Sequence, residues 1–136
     1  MCGMTAAVPT VLIVEDHPLV RAVTADGLTA NGFNVIEAED AAEALRTLDM
    51  HEDVHVLFTD VRMPGEMDGL ALVGKVAEKR PEVELIVTSG GEAARCVNLP
   101  PNGTFLQKPY LASQLATLIR ERLRRLGGGH RKPVLS

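Results

Sequence analysis

Apolar residues in this chain fall into short unbroken runs and into longer stretches where they recur every three or four positions. Val11-Leu12-Ile13-Val14 follows Thr10 as a continuous run and stops at Glu15-Asp16. A run of that kind, bounded by polar residues, reads as a buried strand. Pro18 suits the first turn of a helix, with Asp16 or His17 as its cap. That helix carries Leu19, Val20, Val23 and Leu28 and stops near Asn31-Gly32. Phe33 to Ile36 reads as a second, weaker strand. Asp40-Ala41-Ala42-Glu43 has capping-box spacing, with Asp in place of Ser or Thr, and opens a helix with Ala44, Leu45 and Leu48 on its inner face. Val54 to Asp60 is a third strand, rich in β-branched and aromatic residues, and the chain breaks soon after it at Pro64-Gly65. Leu72, Val73 and Val76 mark a helix that Pro81 terminates. Glu84 to Thr88 is a fourth strand, followed by Ser89-Gly90-Gly91. Thr104 to Gln107 is a short fifth, followed by Lys108-Pro109. Leu111, Leu115, Leu118, Ile119, Leu123 and Leu126 then give the strongest helical periodicity in the chain, which Gly127-Gly128-Gly129 is expected to end. Strand and helix alternate five times. The pattern predicts an α/β fold, a parallel sheet covered by helices on both faces and doubly wound through right-handed connections.

Composition narrows the class. At 136 residues, 46% hydrophobic and 24% charged, the chain has the size and make-up of one soluble domain. The periodicity assigns residues 1–9 to an N-terminal extension, 10–126 to the domain and 127–136 to a flexible basic tail. No apolar run approaches the roughly 20 residues of a membrane span. The N-terminus lacks the basic and apolar parts of a secretory signal. Cys2 and Cys96 form no metal or redox spacing, which suits a reducing cytoplasm. Charge is uneven: 17 Asp and Glu stand against 8 Lys and Arg through Ile119, and one Glu against 6 from Arg120 onward. An acidic body argues against a broad nucleic-acid surface.

The polar residues matter most at the ends of the strands. In a parallel sheet these ends share one edge, where open α/β sheets keep their binding sites. That edge would receive Glu15-Asp16, Asp60, Thr88 and Lys108. Each alone has an ordinary reading. Asp60 would open a turn, Glu15-Asp16 would be acids at a helix N-terminus, and Thr88 and Lys108 would be surface residues. Placed together they define a chemistry. Three carboxylates repel one another unless a cation is bound, and hard oxygen donors favour Mg²⁺. A lysine and a hydroxyl complete a clamp for a phosphoryl group. No His or Cys stands at these ends, although His17 follows closely, so the best acceptor is a carboxylate forming an acyl phosphate.

Five pieces then appear in a specific order: Glu15-Asp16 after Val-Leu-Ile-Val, Asp60-Val-Arg-Met-Pro-Gly, Asp68-Gly69, Thr88-Ser89-Gly90, and Phe105-Leu-Gln-Lys108-Pro109. Over nearly its whole length the chain resembles the receiver domain of two-component response regulators. The resemblance implies a flavodoxin-like sheet in strand order 2-1-3-4-5. It implies that Asp60 accepts a phosphoryl group from the phosphohistidine of a sensor histidine kinase or phosphotransfer protein. Asp16, Asp60 and the backbone carbonyl of Arg62 would hold Mg²⁺, with Glu15 acting through a metal-bound water. Lys108 would pair with phosphoryl oxygens, Thr88 would move toward them, and Phe105 would swing inward behind it. Lys108-Pro109 is where the family usually has a cis peptide. Such a module is a signalling switch rather than an enzyme, with slight self-catalysed phosphorylation and dephosphorylation. It works in the cytoplasm through an unnamed downstream protein, with a homodimer as an option and no DNA-binding domain of its own.

Three departures from the family pattern stand out. Met63-Pro64-Gly65-Glu66-Met67-Asp68-Gly69 is one residue longer than the common form. Pro100-Pro101 confines a fourth helix to a short or irregular segment ending by about Asn98, because residues before proline avoid the helical region. Arg62 lies two positions after the acceptor and Gly90 two after the threonine. Arg62 is expected to cover the phosphoryl group partly, and Gly90 to leave attacking water unguided. The seven residues after Gly129 are too few to fold, so the expectation is a stand-alone receiver. The basic cluster Arg120, Arg122, Arg124, Arg125, Arg131 and Lys132 reads first as a solvated face that complements the helix dipole. Two other functions compete. A Mg²⁺-dependent phosphohydrolase of the haloacid dehalogenase type would want a second acid where Arg62 stands. A phosphorylation-independent binding module would have lost the acceptor or the lysine, and neither is lost.

Overall fold

The computed structural model describes residues 8–63, 65, 67–90 and 99–129, with side chains through Arg124. The elements are β1 (Thr10–Val14), α1 (Pro18–Ala30), β2 (Asn34–Ala38), α2 (Ala41–Met50), β3 (Val54–Asp60), α3 (Gly69–Lys79), β4 (Glu84–Ser89), β5 (Gly103–Gln107) and α4 (Ala112–Gly129). The five strands form one sheet in the order β2-β1-β3-β4-β5, with every pairing parallel. This is the expected doubly wound arrangement. The expected short fourth helix between Gly90 and Pro100 falls on residues 91–98 and lies outside the described residues.

Alternation along the strands divides the core into two layers. Leu12, Val14, Leu57, Leu85 and Val87 face α2 and α3, where Ala44, Leu48, Leu72, Val73 and Val76 meet them. Val11, Ile13, Val56, Phe58 and Ile86 face α1 and α4, where Leu28, Leu115 and Ile119 meet them. Each large apolar side chain fully buried this way contributes about 1.5–3 kcal/mol. The pairing of β1 with β3 shifts by one residue between Thr10 and Val11, which leaves His55 as the extra residue of a bulge. The Nδ1 of His55 accepts the backbone N–H of Thr10 at 3.0 Å.

The caps follow from local chemistry. His17 caps α1, its Nδ1 accepting from the Val20 N–H at 3.4 Å. Asp40 caps α2 by accepting the Glu43 N–H at 2.8 Å, and Glu43 reaches back to the Glu39 N–H at 2.7 Å. Asp68 caps α3, accepting from the Ala71 N–H at 2.9 Å. Asn31 closes α1, and Gly32 turns the chain with φ +94°.

The helices differ from the sequence reading at two points and complete it at a third. Of the apolar residues spaced along α1, Leu28 is buried together with Ala25, whereas Leu19, Val20 and Val23 are 67%, 39% and 63% exposed. The reason is where α4 meets α1. It crosses close at Gly27, where a Cβ would come within 2.6 Å of the Ala112 Cβ, so among the described residues no helix covers the first turns of α1. Leu111 is likewise exposed and lies just before α4, its carbonyl accepting the Leu115 N–H and its N–H held by the Gln114 side chain. Finally, α4 runs on to Gly129 instead of stopping at Gly127. Glycine weakens a helix by about 1 kcal/mol per residue without forbidding it.

Candidate functional site

Each predicted residue reaches the sheet edge by strand geometry. Asp60 is the last residue of β3, and its direct partner on β4 is Thr88. β4 ends at Ser89, whose carbonyl accepts the Lys108 N–H at 3.1 Å and brings the end of β5 alongside. Beyond β1, the Glu15 N–H extends the ladder to β2 by donating to the Ala38 carbonyl at 3.1 Å. Four segments distant in sequence therefore share one edge.

Asp60 is pinned at both oxygens. Its Oδ1 accepts the backbone N–H of Arg62 at 2.9 Å, and its Oδ2 is ion-paired with the Lys108 ammonium. The carboxylate is 11% exposed and the lysine 35%, so the pair sits at a half-covered mouth rather than in the core. Burial by itself would lower the Lys108 pKa. The hydrogen bond to Asp60 and the charges of Asp60 and Glu15 outweigh it and hold the ammonium above its usual range.

Glu15 and Asp16 differ in setting. Glu15 is buried and Asp16 exposed. The Glu15 Oε2 accepts the His17 N–H at 3.0 Å. Burial is the main force raising the Glu15 pKa. The Asp16 carboxyl and the Asp60 charge add to it, while the His17 N–H and Lys108 oppose it. This is an acid cluster short of positive charge, and one lysine does not balance it. Among the described residues, no three His, Cys, Asp or Glu side chains make a metal-holding group by themselves. Two carboxylates, a backbone carbonyl and water form a smaller set, of the kind Mg²⁺ uses with phosphate oxygens. The hard oxygen donors present therefore fit that ion.

Thr88 is buried, and its Oγ1 has no hydrogen-bond partner. A buried hydroxyl left unpaired costs roughly 1–3 kcal/mol, so a group that supplies a partner there gains by it. Phe105 is half-buried and packs against the α2/α3 core layer. It pairs in register with Val87, next to Thr88. The Lys108–Pro109 peptide is cis. Tyr110, which follows, stacks edge-on against Phe58 with ring centroids 5.7 Å apart, and burial foremost raises its phenol pKa.

Two supporting residues go beyond the strand ends. Gly69 opens α3 directly against the acceptor: a Cβ there would lie 1.9 Å from the Asp60 carbonyl oxygen. The Gly69 N–H donates to the Val61 carbonyl at 2.9 Å, which ties the loop down behind Asp60. The Asp68-Gly69 pair is visible in sequence, but this close approach is not. Arg21 is the other. It donates to the Glu15 carbonyl at 2.8 Å, and nothing in the spacing of the chain points to it.

The basic cluster divides. Arg122 pairs with the buried Glu84 at 2.8 Å. Arg120 lies over the Phe33 ring, 4.9 Å from its centroid, and donates to the Asn31 carbonyl at the end of α1. Both bind within the chain, Arg122 largely covered and Arg120 at the exposed surface. Arg124 is exposed, and the side chains of Arg125, Arg131 and Lys132 lie outside the described residues.

Comparison with known proteins agrees with this geometry. The family model for the response regulator receiver domain matches residues 11–120. A chemotaxis protein CheY homologue of Campylobacter jejuni is 40% identical over 105 residues, covering 73% of this chain and 80% of that protein. The sensor kinase CckA of Brucella abortus is 38% identical over 118 residues, covering 84% of this chain but 12% of the kinase. The chain likewise spans 31% of a cyclic di-GMP phosphodiesterase of Thermotoga maritima and 52% of the protein PetR of Rhodobacter capsulatus. Among solved structures, the receiver domain of the hybrid histidine kinase CckA superposes with a TM-score of 0.71 at 34% identity, covering 84% of this chain and 98% of that one. The response regulator TrrA of Thermotoga maritima, solved in complex with Mg²⁺-BeF, is alike in fold, with a TM-score of 0.76 at 21% identity over 85% of this chain and 99% of its own. The ordered strand-end acids, the lysine on β5's far end and these matches agree, and the chain belongs to the response regulator receiver domain family.

Proposed function

We propose that Asp60 is the phospho-acceptor of a two-component phosphorelay and that its phosphorylation switches a partner-binding surface. The observation that carries this reading is the doubly held Asp60 carboxylate, with Lys108 on one oxygen and the unpartnered Thr88 hydroxyl beside it in register. A carboxylate oxygen attacks the phosphorus of a donor phosphohistidine as the phosphorus–nitrogen bond breaks. The bonding pair returns to the ring nitrogen and leaves imidazole. Lys108 follows the negative charge from the carboxylate to the incoming phosphoryl oxygens, and the Arg62 N–H steadies the second carboxylate oxygen. Thr88 moves toward the phosphoryl group and Phe105 swings inward behind it, and this is the switch. Asp16, Asp60 and the Arg62 carbonyl would hold Mg²⁺, with Glu15 acting through water. The ion supplies charge neutralisation at the phosphoryl oxygens.

The donor needs a place to dock. Leu19, Val20, Val23 and Thr24 of α1 face Lys108, Pro109, Tyr110 and Ala112 across an apolar groove of about 500 Å³. This groove borders the ammonium that holds Asp60, so we assign it to the helical surface that presents the donor histidine. Acceptance rather than turnover is the activity, with slow self-catalysed gain and loss of the phosphoryl group. The cytoplasm is the compartment, and the downstream partner is a protein.

The test is incubation with Mg²⁺ and acetyl phosphate followed by intact mass measurement. One added phosphoryl group is expected on the wild type and none on Asp60→Asn. An unmodified wild type, or an equal adduct on Asp60→Asn, overturns the assignment. Multiple turnovers of a phosphate ester would point to a phosphohydrolase instead.

A further inference from the structure

The two acids that begin the site belong to one peptide unit, Glu15–Asp16, and that peptide is held from an unexpected side. Its carbonyl oxygen, on Glu15, accepts from Nη1 of Arg21 at 2.8 Å. The same guanidinium is anchored through Nε to Oε1 of Glu37 on β2, at 3.2 Å. Arg21 sits in the first turns of α1, where its own N–H donates to the His17 carbonyl at 2.9 Å. Its side chain is 20% exposed, so the contact lies under partial cover and water competes for it poorly.

We propose that Arg21 is a positioning residue that holds the Glu15–Asp16 peptide in its metal-binding orientation. The proposal rests on the reading of Asp16 and Glu15 as the site's metal acids. The Glu15 N–H is fixed to Ala38, and the Glu15 carboxyl is fixed to the His17 N–H. The one remaining freedom is rotation of the peptide that leads into Asp16. A monodentate donor would leave that rotation open. Arginine's planar fork closes it, because one nitrogen takes the carbonyl while another is tied to the neighbouring strand. The guanidinium's hydrogen bonds go to the Glu15 carbonyl and to Glu37, so it acts on the direction of the peptide leading into Asp16. Groups that orient metal ligands in this way typically change metal affinity by 10–100-fold when removed.

The experiment is an NMR titration of the ¹⁵N-labelled full chain with MgCl₂, following the backbone amides of Asp16 and Asp60, alongside thermal melting in EDTA. Arg21→Ala is expected to weaken Mg²⁺ binding about tenfold. Arg21→Lys is expected to recover only part of that loss, because one ammonium cannot span both acceptors in the same geometry. Saturating Mg²⁺ should restore phosphorylation of Arg21→Ala by acetyl phosphate. A lower melting temperature with wild-type Mg²⁺ affinity overturns the proposal and leaves Arg21 a stabilising residue only. If Arg21→Ala does not fold, Arg21→Lys decides: full wild-type affinity overturns the proposal and a reduced affinity supports it. Asp16→Ala separates the two layers of inference. Loss of Mg²⁺ binding in Asp16→Ala with no loss in the Arg21 variants refutes the role of Arg21 alone. Absence of Mg²⁺ binding by the wild type refutes the metal-site reading beneath it.

Discussion

Replacing Gly69 by alanine adds one methyl group at the point where α3 meets the acceptor strand. The added Cβ would lie 1.9 Å from the Asp60 carbonyl oxygen, 2.9 Å from its carbon and 3.0 Å from the Val61 Cα. All three neighbours are backbone, so no side-chain rotation relieves the contact. Ordinary contact starts at 3.4 Å, and the start of α3 or the end of β3 must therefore move by more than an ångström. Overpacking of this kind costs about 1–3 kcal/mol. The movement also stretches the 2.9 Å bond from the Gly69 N–H to the Val61 carbonyl, a further ~1 kcal/mol. The sum is on the order of 3 kcal/mol, a large part of the 5–15 kcal/mol that holds a domain folded. Gly74 is the internal control. It lies on the exposed face of the same helix with nothing within 4 Å of a built Cβ. Alanine there should stabilise by about 0.5–1 kcal/mol, because it removes glycine's disadvantage within a helix. Urea unfolding of both variants measures the contrast, and acetyl phosphate labelling measures the site. Opposite signs are expected, with labelling of Gly69→Ala slowed even where the protein is folded. A Gly69→Ala variant within 0.5 kcal/mol of wild type would refute the claim that this contact sets the acceptor's position.

The remaining predictions concern charge and surface. Glu15 has a folded pKa raised above its unfolded value, so its contribution to stability is fully present below about pH 4.5 and is lost as pH rises through the raised value. In metal-free buffer Glu15→Gln should be more stable than wild type at pH 7, with the gap closing in acid; a gap that persists below pH 4 in thermal melts counts against the charge explanation. Val23→Asp places a charge in the apolar groove beside Lys108 and should slow transfer from a protein phosphodonor about tenfold or more while leaving acetyl phosphate labelling unaltered. Equal slowing with both donors would move the docking site elsewhere. Arg62→Ala should shorten the lifetime of the Asp60 phosphoryl group several-fold, within the range general acid–base and positioning effects span; unchanged decay measured by intact mass removes the shielding role.

The arrangement of strands was legible because a parallel sheet buried on both faces writes itself as unbroken apolar runs, as in Val11 to Val14 and Leu85 to Val87. The strand-end residues were legible for the same reason, since knowing where a run stops also locates the edge. Helix faces were harder to read. Leu19, Val20 and Val23 keep helical spacing, yet the pattern cannot say which neighbour is present to cover them. That depends on the close crossing of α1 and α4 at Gly27 and Ala112, a contact between residues far apart in sequence. The exposed stripe is nonetheless informative. These exposed apolar residues line a groove together with Lys108, on the side from which the proposed donor would approach.

The basic residues of α4 show the same ambiguity from the opposite direction. In sequence, Arg120, Arg122 and Arg124 are equivalent members of one charged run, and a solvated face is the plain expectation. In the fold they separate by what lies opposite. Glu84 begins β4 at the edge away from the site, with its side chain 3% exposed, and Arg122 is the cation that makes its burial tolerable. Arg120 covers Phe33 and closes the carbonyl end of α1. The contacts fasten α4 to β4, whose far end carries Thr88, and to the C-terminal end of α1, whose opposite end adjoins Glu15 and Asp16. The charges that balance the acidic body are therefore partly at the bottom of the sheet, fixed in the structure, while at the top Lys108 is paired with Asp60 and Arg21 with Glu37. That separation leaves the top edge short of positive charge, which is the condition under which a divalent cation and a phosphoryl-seeking ammonium have something to do.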